Sequence, residues 1–364
     1  MKFSISKEKF LAGLQQVQNV VSTRTTLPIL SNVLIEADGA ELRLTTTDLD
    51  VGISGRVEAK IDSPGATTLP ARRLATIIKE LPADDIRVEV EDNVASIRCG
   101  PSFFKILGLD ADEFPPLSEF DDAKEFKFGQ KTLKDGLKKT AYAISTDETR
   151  YVLNGINCSF HDNTMTLVAT DGRRLAMIDH ELEFPESNEA TVIIPTKAVN
   201  ELQRLLKDEG DLTMQIGHNQ IAFELNKTRL VSKLIDGSYP NYRQVIPGPA
   251  QYRIPLDRET FLESVARVSL LASDKSNSIK LEFSEDSISI MANSPEIGEA
   301  EETITVKYKG PEMAIAFNPE FLMAPLRNLD TDEVFLELID EMSPGVIKIN
   351  VPFLYVLMPM RVTN

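Results

Sequence analysis

The sequence of 364 residues lacks the features that mark several large protein classes. It has no tryptophan and only two cysteines, so it cannot hold a disulfide framework, and a reducing cytoplasm is the expected location. No run approaches about 18 consecutive apolar residues, so no membrane span is predicted. The net charge of −17 argues against tight binding of nucleic acid over the whole surface, because phosphate contacts need lysine and arginine.

Catalytic and metal-binding patterns are also missing. His161, His180 and His218 are scattered without a partner at ligand spacing, and Cys99 and Cys158 lie on predicted core strands. The sequence has no phosphate-binding loop, no GxGxxG, no GxSxG and no HExxH. We therefore expect no catalytic residues, no bound metal and no cofactor.

One carboxylate pair could be read as catalytic. Asp48-Leu49-Asp50 becomes Asp171-Gly172-Arg173 at the equivalent place further along the chain, so the pair is not repeated. A turn in which the aspartate side chain accepts local hydrogen bonds is the favoured interpretation.

Hairpin turn signals recur with a period close to 124 residues. The first series is Asp38-Gly39, Asp162-Asn163 and Glu285-Asp286. The second series is Asp92-Asn93, His218-Asn219 and Pro344-Gly345. Alternating apolar and polar residues flank these turns, as antiparallel strands require. A period of this length is that of a whole domain and is too long for a solenoid repeat.

Helical patterns follow the same period. Six helices are predicted over residues 7–24, 71–81, 131–144, 196–207, 257–272 and 318–328. The chain is therefore predicted to be α+β, with three similar domains, each of two helices packed on antiparallel sheets. The domains are predicted at 1–125, 126–249 and 250–364, and a chance regularity of an α+β chain is the alternative.

Positive charge is concentrated on the helices. Four of the six predicted helices carry an excess of lysine and arginine, although the whole chain is strongly acidic. Solvated helix faces would explain this bias. The alternative is a basic helical lining that meets a polyanion, contacting phosphates without reading bases.

A series of motifs runs through the chain in order. They are Leu27-Pro28-Ile29-Leu30, Thr46-Thr47-Asp48-Leu49, Arg150-Tyr151-Val152-Leu153-Asn154-Gly155, Ala169-Thr170-Asp171-Gly172-Arg173-Arg174-Leu175-Ala176, Ser232-Lys233-Leu234-Ile235-Asp236-Gly237, Tyr239-Pro240-Asn241-Tyr242-Arg243 and Met358-Pro359-Met360-Arg361. Together they closely resemble the bacterial sliding clamp family, the beta subunit of DNA polymerase III, over the whole chain.

The resemblance implies a fold and a function. Three clamp domains per chain and a head-to-tail dimer would form a six-domain ring, with helices lining the hole. Such a ring is a replication processivity factor and not an enzyme: it encircles duplex DNA, slides without sequence specificity and tethers polymerases. The implied partners are double-stranded DNA, the DNA polymerase III catalytic subunit, an ATP-driven clamp loader, other polymerases and repair proteins with clamp-binding peptides, and a second copy of the chain. No membrane is involved.

The same resemblance, with the basic helices, assigns site residues. DNA-facing residues would be Arg24, Arg73, Lys138, Arg150, Tyr151 and Lys197. A pocket for partner peptides would comprise Leu153, Thr170, Gly172, Arg173, Arg174, Leu175, Pro240, Val245, Met342, Val356, Met358, Pro359, Met360 and Arg361. The dimer contact would join Phe104 and Ile106 to Leu270 and Leu271.

Two local features support these assignments. Two adjacent leucines at a helix end, Leu270 and Leu271, cannot both point into one core face. Pro359 cannot donate to a sheet ladder, so the last strand should stop there and leave its methionines for a partner surface.

Two other functions remain open from the residues alone. The chain could be an acidic three-domain hydrolase that uses carboxylates such as Asp48 and Asp171. It could also be an interaction scaffold that does not bind DNA.

Overall fold

A computed structural model describes residues 1–21, 27–120, 122–272 and 277–361. Within these ranges the chain forms α-helices and antiparallel strands, and all six predicted helices are present. They are α1 (Lys7–Val17), α2 (Ala71–Glu80), α3 (Gln130–Thr140), α4 (Thr196–Leu205), α5 (Arg258–Ser269) and α6 (Pro319–Asn328).

The helices begin where local caps allow. Asn318 accepts the N–H groups of Glu320 and Phe321, and Pro319 takes the first helical position, where its missing N–H leaves no partner unsatisfied. Asp257 caps α5 through the N–H of Thr260 at 2.8 Å. The sequence overestimated the length of α1, which ends at Val17 and continues only as a 3-10 turn over Gln18–Val20.

Two sheets belong to the first part of the fold. The five-stranded sheet has the order β5 (Lys60–Ser63), β1 (Lys2–Ser6), β7 (Asp85–Glu91), β8 (Val94–Cys99) and β9 (Ser102–Leu107). An eight-stranded sheet has the order β10 (Lys124–Gly129), β15 (Asp211–Ile216), β16 (Gln220–Leu225), β17 (Thr228–Lys233), β4 (Val51–Glu58), β3 (Glu41–Thr47), β2 (Asn32–Asp38) and β6 (Gly65–Pro70).

Two further sheets belong to the second part of the fold. A second eight-stranded sheet has the order β14 (Ala190–Pro195), β11 (Gly155–His161), β12 (Thr164–Thr170), β13 (Arg174–Glu181), β25 (Phe353–Leu357), β24 (Gly345–Lys348), β23 (Glu333–Leu338) and β18 (Tyr252–Asp257). A four-stranded sheet has the order β21 (Gly298–Thr305), β20 (Ser287–Ser294), β19 (Ile279–Ser284) and β22 (Met313–Phe317).

Both eight-stranded sheets cross a domain boundary. Strand β4 of the first repeat pairs with β17 of the second, with Ile53 opposite Leu230. Strand β13 of the second repeat pairs with β25 of the third, with Leu175 opposite Val356. The strands of the middle repeat are thus divided between two sheets. One group shares a sheet with strands of the first repeat, and the other shares a sheet with strands of the third.

The chain accordingly splits into two compact units. The first comprises Met1–Lys134 with Lys197–Leu234, and the second comprises Asp135–Thr196 with Ile235–Asn364. The sequence predicted three similar domains but gave no sign that two of its sheets would be continuous across domain boundaries. The predicted limits at 125 and 249 stay predictions.

Equivalent helices bury equivalent faces. Phe10, Leu14 and Val17 of α1 are buried, and Phe261 and Val265 of α5 are buried in the same way. These are the positions with one-face spacing in the sequence, so the apolar stripe of each helix meets its sheets as an amphipathic pattern requires.

The hairpin turns occur where the sequence signals them. Asp92 and Asn93 both have positive φ, and so do Asp162 and Asn163. Two consecutive residues with positive φ form the turn that matches the twist of an antiparallel hairpin, and Asn and Asp tolerate it better than most residues.

Helix α6 contains a proline, and a distant tyrosine supplies the hydrogen bond that the proline removes. Pro325 has no N–H, so the carbonyl of Phe321, four residues earlier, loses its helical donor. The hydroxyl of Tyr355 on β25 donates to that carbonyl at 2.7 Å. Tyr355 is fully buried, and burial raises the pKa of its hydroxyl, which remains protonated and available as a donor.

This arrangement predicts coupling between two substitutions. Tyr355→Phe should lower the free energy of unfolding by about 1–3 kcal/mol, because it leaves the Phe321 carbonyl without a donor. Pro325→Ala restores an N–H four residues after that carbonyl. In urea denaturation, the double variant should therefore have a higher free energy of unfolding than the two single-variant changes, added together, would give. Additive effects would contradict the role given to Tyr355.

Candidate functional site

A tight turn between β12 and β13 forms one wall of the candidate site. The Asp171 carboxylate accepts the N–H groups of Arg173 at 2.9 Å and Arg174 at 3.1 Å. The Thr170 hydroxyl accepts from the N–H of Gly172 and donates to the carbonyl of Arg174. Gly172 has φ +85°, a left-handed conformation that glycine adopts without strain.

The equivalent turn in the first unit has the same hydrogen bonds. Asp48 accepts the N–H groups of Asp50 and Val51, and Thr47 bonds to the N–H of Leu49 and the carbonyl of Val51. The turn interpretation of these aspartates is confirmed, since their oxygens hold the local backbone.

Arg174 is held rigidly beneath the site. Its Nε donates to the second oxygen of Asp171 at 3.0 Å, and its guanidinium lies 4.3 Å from the ring centre of Phe321 on α6. Both members of the ion pair are mostly buried. Asp171 therefore shapes the turn with one oxygen and orients an arginine with the other.

A cavity of about 210 Å³ opens beside this turn, at the end of the ladder between β13 and β25. Its lining is mainly apolar. It consists of Leu153, Thr170, Gly172, Arg173, Arg174, Leu175, Pro240, Asn241, Tyr242, Val245, Val356 and Met358. An apolar cleft with a few polar groups at its rim is the usual form of a ligand pocket.

The segment after residue 238 forms the opposite wall and is anchored to the sheet. Tyr239, Tyr242 and Ile246 pack on a core formed by Val168, Leu175 and Val356. The Tyr239 hydroxyl accepts the N–H of Thr170 at 3.1 Å, and burial raises its pKa. The cavity walls thus come from four stretches of chain that meet only in the folded protein.

Most of the pocket residues expected from the sequence line this cavity, but four do not. Met342 projects from the loop before β24, where Asp340 accepts its N–H, and is 79% exposed. The N–H of Met360 donates to the carbonyl of Ala316, so the tail beyond Met358 follows β22. Pro359 and Arg361 are likewise absent from the lining.

Strand β25 stops where the sequence predicted. It ends at Leu357, two residues before Pro359. The N–H of Met358 then donates to the carbonyl of Arg173, which places the methionine on the rim of the cavity. The sequence missed Asn241 and Tyr242 as lining residues, although both lie in the quoted motif that contains Pro240.

Arg150 lies next to this cavity. Its Nε pairs with Asp147 at 3.0 Å, and its Nη1 is 2.6 Å from where a Cβ on Gly172 would be. Any side chain at 172 would displace it. Tyr151 is exposed. Contact of either residue with DNA stays a prediction.

The lysines of the basic helices are largely paired with carboxylates. Lys138 on α3 contacts both oxygens of Asp330 at 2.6 Å, and Lys197 on α4 pairs with Asp48. Arg73 is exposed on α2 and has no ion-pair partner within the described ranges. Arg24 lies outside the described residues. The charge count on the helices therefore overstates their free positive charge.

Of the four residues expected at the dimer contact, only Ile106 is buried. On β9, Phe103, Phe104 and Leu107 are exposed. Ile106 lies on the same face of the strand as Phe104 but is only 8% exposed, against 38% for Phe104, so its side chain offers little surface to a partner. After α5, Leu270 is 79% exposed and Leu271 half-buried, so the two leucines do not share one core face.

Three residues of the types that commonly carry catalysis are buried or hydrogen-bonded to neighbouring side chains. Cys99 and Cys158 are buried free thiols, and burial raises the pKa of both. His161 pairs with Glu189 and Thr191. No group of three potential metal ligands occurs among the described residues. In the same part of the chain, no helix is long and apolar enough to cross a membrane.

Three family models match the chain in succession. They are the DNA polymerase III beta subunit N-terminal domain at 1–118, central domain at 127–241 and C-terminal domain at 243–361. The beta sliding clamp of Chlamydia trachomatis is 36% identical over 362 residues, covering 99% of this chain and 87% of the relative. That of Pseudomonas aeruginosa is 36% identical over 366 residues, covering 99% and 100%.

Solved structures agree with these relatives. A P. aeruginosa sliding clamp bound to griselimycin has a TM-score of 0.96 and 36% identity, and a Bacillus subtilis clamp has 0.95 and 32%. Both matches cover 100% of each chain.

Fold and similarity together define a non-catalytic processivity clamp of DNA replication, built from three similar domains. The chain belongs to the DNA polymerase III beta subunit family, the bacterial sliding clamps. The predictions of three α+β domains, of a role in replication and of a protein that is not an enzyme are confirmed. The alternative that the chain is a hydrolase is wrong. Membership of a DNA replication family also excludes the alternative of an interaction scaffold that does not bind DNA.

Proposed function

We propose that two copies of this chain join head to tail into a six-domain ring that encircles duplex DNA and slides without sequence specificity. The observation that carries the proposal is the full-length match to sliding clamps at a TM-score of 0.96. A topological tether needs little affinity for DNA, so the net charge of −17 is compatible with this function.

Two sheet edges support the head-to-tail contact. Strand β9 ends the five-stranded sheet and β21 ends the four-stranded sheet, so both present unpaired backbone groups within the described structure. Strand β9 carries Lys105 and exposed aromatic residues, whereas β21 carries Glu299 and Glu301. Edges of opposite charge favour pairing between copies over pairing of like edges.

Leu270 supports the same contact. It follows α5, which packs on β20 and β21, so its exposed side chain belongs to the end of the chain that carries the acidic edge. The interface would therefore join Phe104 and the β9 edge of one copy to Leu270 and Leu271 of the next. Ile106 would contribute its backbone edge.

The DNA-facing surface would consist of Arg24, Arg73, Lys138, Arg150, Tyr151 and Lys197. Lysine and arginine contact phosphates without reading sequence, as sliding requires.

The cavity beside Gly172 would bind short peptides of the DNA polymerase III catalytic subunit, the clamp loader, and other polymerases and repair proteins. Two apolar anchors in such a cavity give weak, exchangeable binding. The sequence has no nucleotide-binding loop, so opening depends on an ATP-driven loader, and the expected location is the cytoplasm.

Encircling predicts a dependence on DNA topology. With a clamp loader and ATP, the protein should remain on nicked circular DNA through gel filtration and be lost after linearisation, because a ring slides off free ends. Equal retention on both forms would overturn the proposal. Omission of ATP is the control for loading.

The cavity assignment predicts a large effect of Val245→Asp. A carboxylate in the apolar wall must be desolvated when a peptide anchor enters, so affinity for a polymerase peptide should fall at least about tenfold in calorimetry. Val351→Asp is the matched control, since Val351 is 48% exposed and Val245 50% exposed. Equal peptide affinity in both variants would sink the assignment.

The dimer assignment predicts that Leu270→Ala with Leu271→Ala weakens each contact by about 2–4 kcal/mol of apolar burial. A folded monomer should then appear at nanomolar concentration in light scattering. Met342→Ala, at the same 79% exposure as Leu270, should leave the oligomeric state unchanged. A dimer that persists in the double variant would show that the contact lies elsewhere.

A further inference from the structure

Both lysines proposed to face DNA are already paired with aspartates of the same chain. Lys197 on α4 pairs with Asp48, and Lys138 on α3 pairs with Asp330. Neither aspartate lies on the helix of its lysine. The two pairs use the same chemistry, an ammonium group held by a carboxylate supplied from another segment.

Asp48 is fixed in position before it meets its lysine. One carboxylate oxygen accepts the N–H groups of Asp50 and Val51 and so holds the turn. The other oxygen pairs with Lys197. At the equivalent place, the second oxygen of Asp171 pairs with Arg174 of its own turn. The first turn thus presents its free oxygen to a helix, and the lysine meets a rigid acceptor.

Asp330 follows α6, which ends at Asn328. Both of its oxygens lie 2.6 Å from the Lys138 ammonium. About two-fifths of the Lys138 side chain is exposed, so a phosphate can still approach it. Ion pairs this accessible contribute little to stability, because water and salt screen them.

We propose that Asp48 and Asp330 compete with DNA phosphates for Lys197 and Lys138 and so keep sliding friction low. This inference rests on the proposed DNA-facing role of the two lysines. A phosphate must displace a carboxylate from each lysine, so each contact yields only the difference between two similar ion pairs. When the phosphate moves on, the carboxylate takes the ammonium back.

The described arginines of the proposed DNA-facing surface differ in the same way. Arg150 is paired with Asp147, whereas Arg73 on α2 has no ion-pair partner within the described residues. Arg73 supplies the long-range attraction, which needs unpaired charge. Lys138 and Lys197 supply short-range contacts whose strength the aspartates limit.

The test compares Asp48→Asn and Asp330→Asn with the unmodified protein. Asparagine keeps an oxygen that can hold the turn at 48 but loses the charge. Asp92→Asn is the matched control, because it removes one charge at a hairpin position whose positive φ asparagine tolerates.

Two measurements are made on each variant. One-dimensional diffusion of loaded clamps on stretched DNA should slow about two- to five-fold in each aspartate variant and stay unchanged in the control. Affinity for a short duplex at low salt should rise by a similar factor. Its salt dependence should steepen by up to about one unit, since one more uncompensated cation can neutralise a phosphate.

Lysine variants separate the inference from the function on which it rests. If Lys138→Gln and Lys197→Gln leave diffusion and duplex affinity unchanged, the DNA-facing role fails. If they weaken duplex affinity while the aspartate variants match Asp92→Asn, the lysines meet DNA and only the competition is overturned. In the Lys138→Gln, Asp330→Asn double variant, the effect of Asp330→Asn should disappear. A lowered melting temperature with unchanged diffusion would make the pairs structural and would likewise overturn the proposal.

Discussion

The backbone ladders that join β4 to β17 and β13 to β25 are the constraint on which the rest of this structure depends. Each makes one continuous sheet from strands of two domains, so neighbouring domains are held by hydrogen bonds in fixed register. A register shift of one residue would turn every side chain to the opposite face. The ladders therefore fix which residues of successive domains face the same side.

The cavity beside Gly172 is a direct consequence of one ladder. Leu175 and Val356 are cross-strand partners, so each supplies part of the same apolar floor. The turn held by Asp171 closes one side, and the segment anchored by Tyr239 closes the other. The equivalent turn in the first unit has the same hydrogen bonds, but Leu49 replaces Gly172 there. The two turns therefore have the same backbone hydrogen bonds but present different residues at the surface.

Electrostatics in this protein depends on pairing more than on net charge. The basic helices that suggest a polyanion partner hold much of their charge in ion pairs, such as those of Lys138 and Lys197. A protein that must remain on DNA without stopping needs contacts that form and break easily. An acidic chain with compensated lysines meets that requirement, because the topological link and not the affinity would hold it in place.

The sequence by itself determined the three-fold repeat, the six helices and the turns, because turn chemistry and apolar spacing are local properties. The motifs around Gly172 and Pro240 also identified most of the cavity lining by resemblance. Only the tertiary structure decided that Met342 and Met360 lie outside the cavity, that Ile106 is buried and that Lys197 meets Asp48. Each of these facts depends on strand pairing or on contacts between residues far apart in the chain. Local patterns do not encode which distant partner a side chain will meet, so the fold has to bring the two together first.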